Sequence, residues 1–106
     1  MTKYNKAIRD KIPEIIEESG YNYNIKTLSD EEFLHKLEEK LVEELEEYQE
    51  SKSVEELADI LEIIYRISEI KGITNNQLEE LRQKKSKERG GFKDNLFLID
   101  TTQSEH

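Results

Sequence analysis

Apolar residues between positions 33 and 70 recur every three or four residues, the spacing that aligns side chains along one face of an α-helix. This periodicity limits the fold more than any other feature of the chain, because a half-buried strand would repeat every two residues. Three pairs of residues have the spacing of a capping box, which marks a helix start: Ser29 with Glu32, Ser53 with Glu56, and Thr74 with Gln77. The sequence therefore predicts an all-α fold.

Proline and glycine residues complete the predicted helix boundaries. Pro13 suits the first turn of a short helix that Gly20 can end. Gly72 can end the helix that begins at Ser53, and a pair of glycines follows the last helix. The four predicted helices cover approximately 13–20, 29–50, 53–72 and 74–87.

The ends of the chain carry three further predictions. With 106 residues the chain has room for one small domain, which we assign to residues 1–100. Residues 101–106 are expected to form a mobile tail. A minor β element is expected near the termini, where the apolar run 96–99 has the character of a short strand that pairs with residues 23–28.

The composition predicts self-association. Apolar residues make up 34% of the chain and charged residues 39%, so that one copy can bury only a small core. A second copy of the chain can supply the missing burial. We therefore expect the chain to assemble as a homodimer or a homotetramer.

The composition of the chain disfavours several classes of partner and site. At a net charge of −9, nucleic acid and anionic membranes are unfavourable partners, because both require a basic surface. The sequence has no cysteine, which excludes disulfides and thiolate metal sites. No apolar run approaches membrane-spanning length, and residues 1–11 lack the apolar core of a signal peptide. We expect a cytoplasmic protein.

Residues 43–62 concentrate this charge, with nine acidic side chains and one lysine. Like charges three or four residues apart on a helix repel one another. Helical geometry places Glu44 inside the apolar stripe of its helix and Glu47 at the margin of that stripe. On the next helix, Glu56 lies among apolar residues and Asp59 lies at their edge. Ionised carboxylates need a partner when they are buried.

The short connection at 51–53 predicts that these two helices run antiparallel and in contact. In such a hairpin Glu44 lies level with Asp59, and Glu47 lies level with Glu56. The four carboxylates then converge on one patch. Oxygen ligands of this kind suit a hard cation, Mg²⁺ or alternatively Mn²⁺.

Each carboxylate also has an interpretation that needs no metal. Glu56 has the spacing of the capping-box glutamate of Ser53. Glu47 lies where a helix margin meets solvent, and Glu44 has the option of an ion pair with a lysine. The convergence of all four favours the metal site over these separate explanations.

The acidic residues also resemble the signature of a known family. Glu43-Glu44-x-x-Glu47 followed by Glu56-x-x-Asp59 is similar to the EExxE…ExxD signature of the all-α nucleoside triphosphate pyrophosphohydrolases, the MazG-like superfamily. That superfamily also includes dimeric dUTPases and phosphoribosyl-ATP pyrophosphohydrolase.

Two flanking segments extend the resemblance over most of the chain. YNKAIRDKIP at 4–13 resembles the YNKLVRDKIP opening of one small branch of the superfamily. RGGF at 89–92 resembles the ending of the same branch.

The resemblance implies an oligomeric helical protein that hydrolyses a nucleoside triphosphate between its α and β phosphates. It implies that Glu44, Glu47, Glu56 and Asp59 bind Mg²⁺. Glu43 matches an additional acidic position, and we expect Glu43 or Glu47 to orient the water nucleophile. The products would be a nucleoside monophosphate and pyrophosphate.

A triphosphate substrate also requires cations from the protein. Candidates occur near both ends of the chain, and the residues that we predict to bind phosphate are Arg9, Lys11, Lys85 and Arg89. Lysines near the end of a helix have an alternative role, because they complement the helix dipole. Arg89 is the strongest candidate because it belongs to the RGGF motif and can grip phosphate with two donors.

The leading interpretation is a Mg²⁺-dependent pyrophosphohydrolase that removes modified or excess (deoxy)nucleotides. One alternative is hydrolysis of phosphoribosyl-ATP. Another is a helical module without catalysis, which uses the acidic residues for metal-stabilised assembly.

Overall fold

The computed structural model describes residues 2–104. Within this range the chain forms four α-helices and no strand, which confirms the all-α prediction. Each helix begins and ends within three residues of its predicted bounds. The helices are α1 (Ile12–Glu18), α2 (Asp30–Ser51), α3 (Val54–Ile70) and α4 (Asn75–Arg89).

The predicted β element is wrong. Residues 96–99 and 23–28 have no regular secondary structure. The side chains of residues 96–99 are at least 77% exposed. A short apolar segment forms a strand only when a neighbouring strand takes up its backbone hydrogen bonds. The predicted mobile tail stays a prediction, since its last two residues, 105 and 106, lie outside the described residues.

The start of α2 follows the predicted capping box. The Ser29 hydroxyl accepts a hydrogen bond from the Glu32 N–H at 3.2 Å, and the Glu32 carboxylate accepts one from the Ser29 N–H at 3.3 Å. Three acidic residues in the first turn complement the positive end of the helix dipole. Lys52 ends α2 in the left-handed conformation, with φ of 60°.

The second predicted capping box, Ser53 with Glu56, does not form, although Ser53 still caps the helix. The Ser53 hydroxyl caps α3 by accepting a hydrogen bond from the Glu55 N–H at 3.3 Å. The Ser53 N–H donates to the Ser51 hydroxyl at 3.1 Å instead of to the Glu56 carboxylate. The Glu56 side chain is therefore not committed to the cap.

The chain divides into two compact units, residues 1–75 and residues 76–106. In the second unit α4 is largely exposed and ends at Gly90, whose φ of +82° suits glycine. In the first unit α2 and α3 pack against each other across the connection Lys52–Ser53. The assignment of residues 1–100 to a single domain stays a prediction.

Two contacts join residues of α2 and α3 that lie far apart along the chain. Asp30, at the start of α2, forms an ion pair with Arg66, near the end of α3, at 3.5 Å. Glu44, late in α2, lies beside Asp59, early in α3. The last turns of α2 and the first turns of α3, which carry the acidic residues between Glu43 and Glu62, thus lie beside each other.

The core of the first unit is small. Among the described residues, the buried apolar side chains are Ala7, Leu37, Ile60 and Ile63. Ala7 comes from the segment before α1 and packs with Leu37 and Ile63. Other apolar residues of α2 and α3 are between 44 and 56% exposed: Val42, Leu45, Leu57 and Leu61. Within residues 2–104, no helix combines the length and apolar character needed to cross a bilayer.

Replacement of Ser29 by alanine tests the contribution of the α2 cap. We expect Ser29→Ala to lower the free energy of unfolding by about 1 kcal/mol, because the Glu32 N–H loses its acceptor at the helix start. Urea denaturation followed by circular dichroism measures the change. The matched control is Ser86→Ala, inside α4, where alanine favours the helix. Equal destabilisation by the two substitutions would contradict the capping role.

Candidate metal centre

Three of the four predicted metal ligands lie together where α2 and α3 pack. Glu44, Glu56 and Asp59 each place one carboxylate oxygen within 4.8 Å of the others, and we call this set the carboxylate cluster. Glu44 comes from α2, while Glu56 and Asp59 lie one turn apart on α3. Because only Lys52 and Ser53 separate the two helices, the last turns of α2 lie beside the first turns of α3. The cluster has the ligand type and spacing to hold a metal ion.

Glu44 is the buried member of the carboxylate cluster. It is 8% exposed because it lies on the apolar side of α2, two turns after the buried Leu37. Its Oε2 atom is buried and has no hydrogen-bond partner. Its Oε1 atom lies 3.9 Å from Nζ of Lys40, one turn earlier on the same helix. Glu44 therefore has a lysine partner, as the alternative interpretation predicted, but only at one of its two oxygens and at a long distance.

The surroundings of Glu44 disfavour its negative charge. Burial is the main cause that raises the pKa of Glu44 to about 7. The neighbouring carboxyl groups also raise this pKa: those of Glu56, Glu47 and Asp59. Carboxylates accept hydrogen bonds and donate none unless one of them holds a proton. A proton or a cation is thus required at this position, and the unpartnered Oε2 atom fits a cation.

The remaining predicted residues of α2 lie beside the carboxylate cluster. Glu47 is exposed, and its carboxylate does not belong to the carboxylate cluster. Its negative charge nevertheless contributes to the raised pKa of Glu44. Glu43 is half-buried and forms an ion pair with Lys6 at 3.4 Å. The role of Glu47 as a fourth ligand and the roles of Glu43 and Glu47 in orienting water stay predictions.

The alternative explanation of Glu56 as a capping residue does not account for its position. A capping box would direct the Glu56 carboxylate to the Ser53 N–H, which donates to Ser51 instead. Glu56 is half-buried and faces Glu44 and Asp59. Glu56 is therefore available to the carboxylate cluster.

Two cations of the segment before α1 contact acidic side chains of α2 and α3. Arg9 Nη2 lies 2.7 Å from Asp59 Oδ1, and Lys6 Nζ lies 3.4 Å from Glu43 Oε1. Lys11 is exposed at the turn before α1, and within residues 2–104 it forms no ion pair. Of the two cations predicted near the start of the chain, Arg9 thus lies at the carboxylates.

The other two predicted phosphate-binding residues belong to the second unit. Lys85 and Arg89 lie on α4, and both are exposed. Their assignment to the substrate stays a prediction. Within the second unit, Lys87 and Arg89 occupy the last turn of α4, where cations complement the helix dipole.

Sequence reasoning missed two residues that the structure brings to the acidic side chains. Lys40 precedes Glu44 by four residues, a spacing that places both side chains on one face of a helix. Lys6 precedes Arg9 by three residues in the segment YNKAIRDKIP. The first signal was present in the sequence, whereas the contact of Lys6 with Glu43 joins residues 37 positions apart.

The chain matches no protein-family model, no curated protein and no solved structure. The likeness to the MazG-like superfamily therefore stays a prediction that rests on its motifs.

The raised pKa of Glu44 predicts a distinct pH dependence of stability. A carboxyl group with a raised pKa stabilises the folded state fully below its ordinary pKa of 4.5, and this contribution is lost as the pH rises to about 7. Without divalent cations, we expect the free energy of unfolding of the wild type to fall between pH 4.5 and 8 relative to that of Glu44→Gln. The expected difference is on the order of 1–3 kcal/mol. Urea denaturation in a chelating buffer measures it.

The control for this titration is Glu46→Gln, on the exposed side of α2. It removes the same formal charge and should keep the pH dependence of the wild type. A wild type whose stability changes in parallel with that of Glu44→Gln would show that Glu44 does not titrate near pH 7.

Proposed function

We propose that this protein is a Mg²⁺-dependent nucleoside triphosphate pyrophosphohydrolase, which releases pyrophosphate and a nucleoside monophosphate from an NTP or dNTP. The observation that carries this proposal is the buried Glu44, whose unpartnered oxygen lies beside Glu56 and Asp59. A structural carboxylate in this position would need a proton or a close cation, and its nearest lysine is 3.9 Å away.

The carboxylate cluster would hold Mg²⁺, with Glu47 as an additional ligand from the surface. Oxygen-only ligands favour Mg²⁺, and Mn²⁺ accepts the same set. Bound Mg²⁺ would supply positive charge at the phosphate oxygens, where the acidic residues alone would repel a polyanion. Glu43 lies next to the cluster in sequence and, together with Glu47, is our candidate for orienting the attacking water.

The residues of this chain also supply positive charge for the substrate. Arg9 presents a planar guanidinium that can bind two phosphate oxygens. We assign Lys11, Lys85 and Arg89 to the same role from the sequence motifs. A house-cleaning role in the cytoplasm, directed at modified or excess nucleotides, fits this chemistry and the motifs.

A substrate panel tests the proposed reaction. We expect pyrophosphate release from at least one NTP, dNTP or phosphoribosyl-ATP in the presence of Mg²⁺, and a chelator should abolish it. Glu56→Gln should lower kcat at least about 100-fold, because removal of a ligand displaces the charge that stabilises the transition state. The matched control is Glu55→Gln, an exposed neighbour on the same turn of α3, which should retain wild-type rates.

The outcomes of the panel separate the candidate reactions. Release from phosphoribosyl-ATP alone would select the alternative substrate. Equal losses in Glu55→Gln and Glu56→Gln would contradict the assignment of Glu56. Absence of release from every substrate, with Mg²⁺ bound, would favour a metal-stabilised assembly module.

We propose that the active form is a homo-oligomer, a dimer or a tetramer. The apolar residues Val42, Leu45, Leu57 and Leu61 of α2 and α3 stay substantially exposed, while few apolar residues are buried. Exposed apolar positions on two packed helices favour burial against another copy.

Light scattering tests the assembly. We expect a solution mass of two or four times 12.6 kDa for the wild type. Leu61→Lys should lower that mass, because a charge at this position would be buried in the assembly. The matched control is Leu81→Lys on α4, since Leu61 and Leu81 are 46% and 51% exposed. A monomeric wild type would contradict the proposal.

A further inference from the structure

The segment before α1 brings two cations to the acidic residues of α2 and α3. Lys6 contacts Glu43 and Arg9 contacts Asp59, at 3.4 and 2.7 Å. Ala7 lies between these two cations in the sequence and is 5% exposed in the core. Its methyl group packs with Leu37 and Ile63, so the backbone that carries both cations lies against the core.

Both ion pairs are easy to exchange. The side chains of Arg9 and Asp59 are 53% and 43% exposed, and those of Lys6 and Glu43 are similarly exposed. Exposed ion pairs contribute little to stability, because water solvates the separated charges almost equally well. A ligand with higher charge density can therefore replace either partner.

The contact of Arg9 occupies one oxygen of a candidate metal ligand. Asp59 belongs to the carboxylate cluster, and its Oδ1 atom accepts the hydrogen bond of Arg9. Asp59 cannot give its full charge to an ion while it binds the guanidinium. An ion at the cluster would also repel Arg9.

A bound polyphosphate would offer both cations stronger hydrogen-bond acceptors than the carboxylates. It carries several negative charges, and its oxygens accept charge-assisted hydrogen bonds from arginine and lysine. Near a cluster occupied by an ion, these oxygens are better partners for Lys6 and Arg9 than carboxylates that the ion has already neutralised.

We infer that Lys6 and Arg9 form an exchangeable cation pair. When an ion binds to the carboxylate cluster, both side chains separate from their carboxylate partners and bind the phosphate oxygens of the substrate. Lys6 thereby becomes a phosphate-binding residue in addition to those predicted from the sequence. The inference rests on the proposed metal site of the carboxylate cluster. It adds that the chain itself holds the substrate-binding cations beside that site.

Binding of Mn²⁺ alone tests the competition. By isothermal titration calorimetry without phosphate, we expect Arg9→Gln to bind Mn²⁺ about 3- to 10-fold more tightly than the wild type, because Asp59 is released. Lys3→Gln, in the same segment, removes an equal charge and should bind Mn²⁺ like the wild type. An unchanged or weaker affinity in Arg9→Gln would overturn the inference, because the ion pair would then support the cluster.

Binding of inorganic tripolyphosphate at saturating Mg²⁺ tests the second half of the exchange. We expect Lys6→Gln and Arg9→Gln each to weaken binding about tenfold, the loss of one charge-assisted hydrogen bond. Lys6→Arg should restore the affinity, and Lys3→Gln should leave it unchanged. Wild-type affinity in Lys6→Gln would overturn the role of Lys6.

The two proposals fail in different ways. Wild-type protein that binds no Mn²⁺ would overturn both the metal site and the exchange. Wild-type protein that binds Mn²⁺ with an affinity that Arg9→Gln does not increase would overturn the exchange alone.

Discussion

The burial of Glu44 against α3 is the interaction on which the candidate site depends. A carboxyl group in an apolar helix face loses its hydration, and its acidic neighbours cannot donate hydrogen bonds in return. Lys40 reaches one oxygen at 3.9 Å, while the other oxygen has no partner. The helix pair therefore favours a proton or a cation at this point, and a divalent cation would satisfy three carboxylates together.

The same arrangement would link stability to the binding of a metal ion. The apolar core of the first unit is small, so each unfavourable charge weighs heavily on the free energy of unfolding. An ion that binds only the folded protein stabilises it by mass action. A metal ion in the carboxylate cluster would thus hold α2 and α3 together as well as serve the proposed chemistry. A second copy of the chain would add burial on the exposed apolar residues of these helices.

The segment before α1 places two cations beside the acidic residues of α2 and α3. Ala7 anchors this segment in the core, and Lys6 and Arg9 extend from it to Glu43 and Asp59. These cations balance the acidic side chains in the contacts seen here and would bind phosphate after exchange. Under the proposed exchange, Lys6 and Arg9 would offer a nucleotide two local positive partners despite the net charge of −9.

Local physical rules were sufficient for the sequence to determine the helices: their periodicity, the Ser29 cap and the short connection between α2 and α3 involve neighbouring residues. They also indicated that Glu44, Glu56 and Asp59 face one another. The tertiary structure decided the features that depend on residues distant in the sequence. Residues 96–99 have no neighbouring strand, and Glu47 is exposed. Arg9 forms its hydrogen bond with Asp59, which lies 50 positions later. Such contacts follow from how the segments pack, and sequence spacing carries no record of that packing.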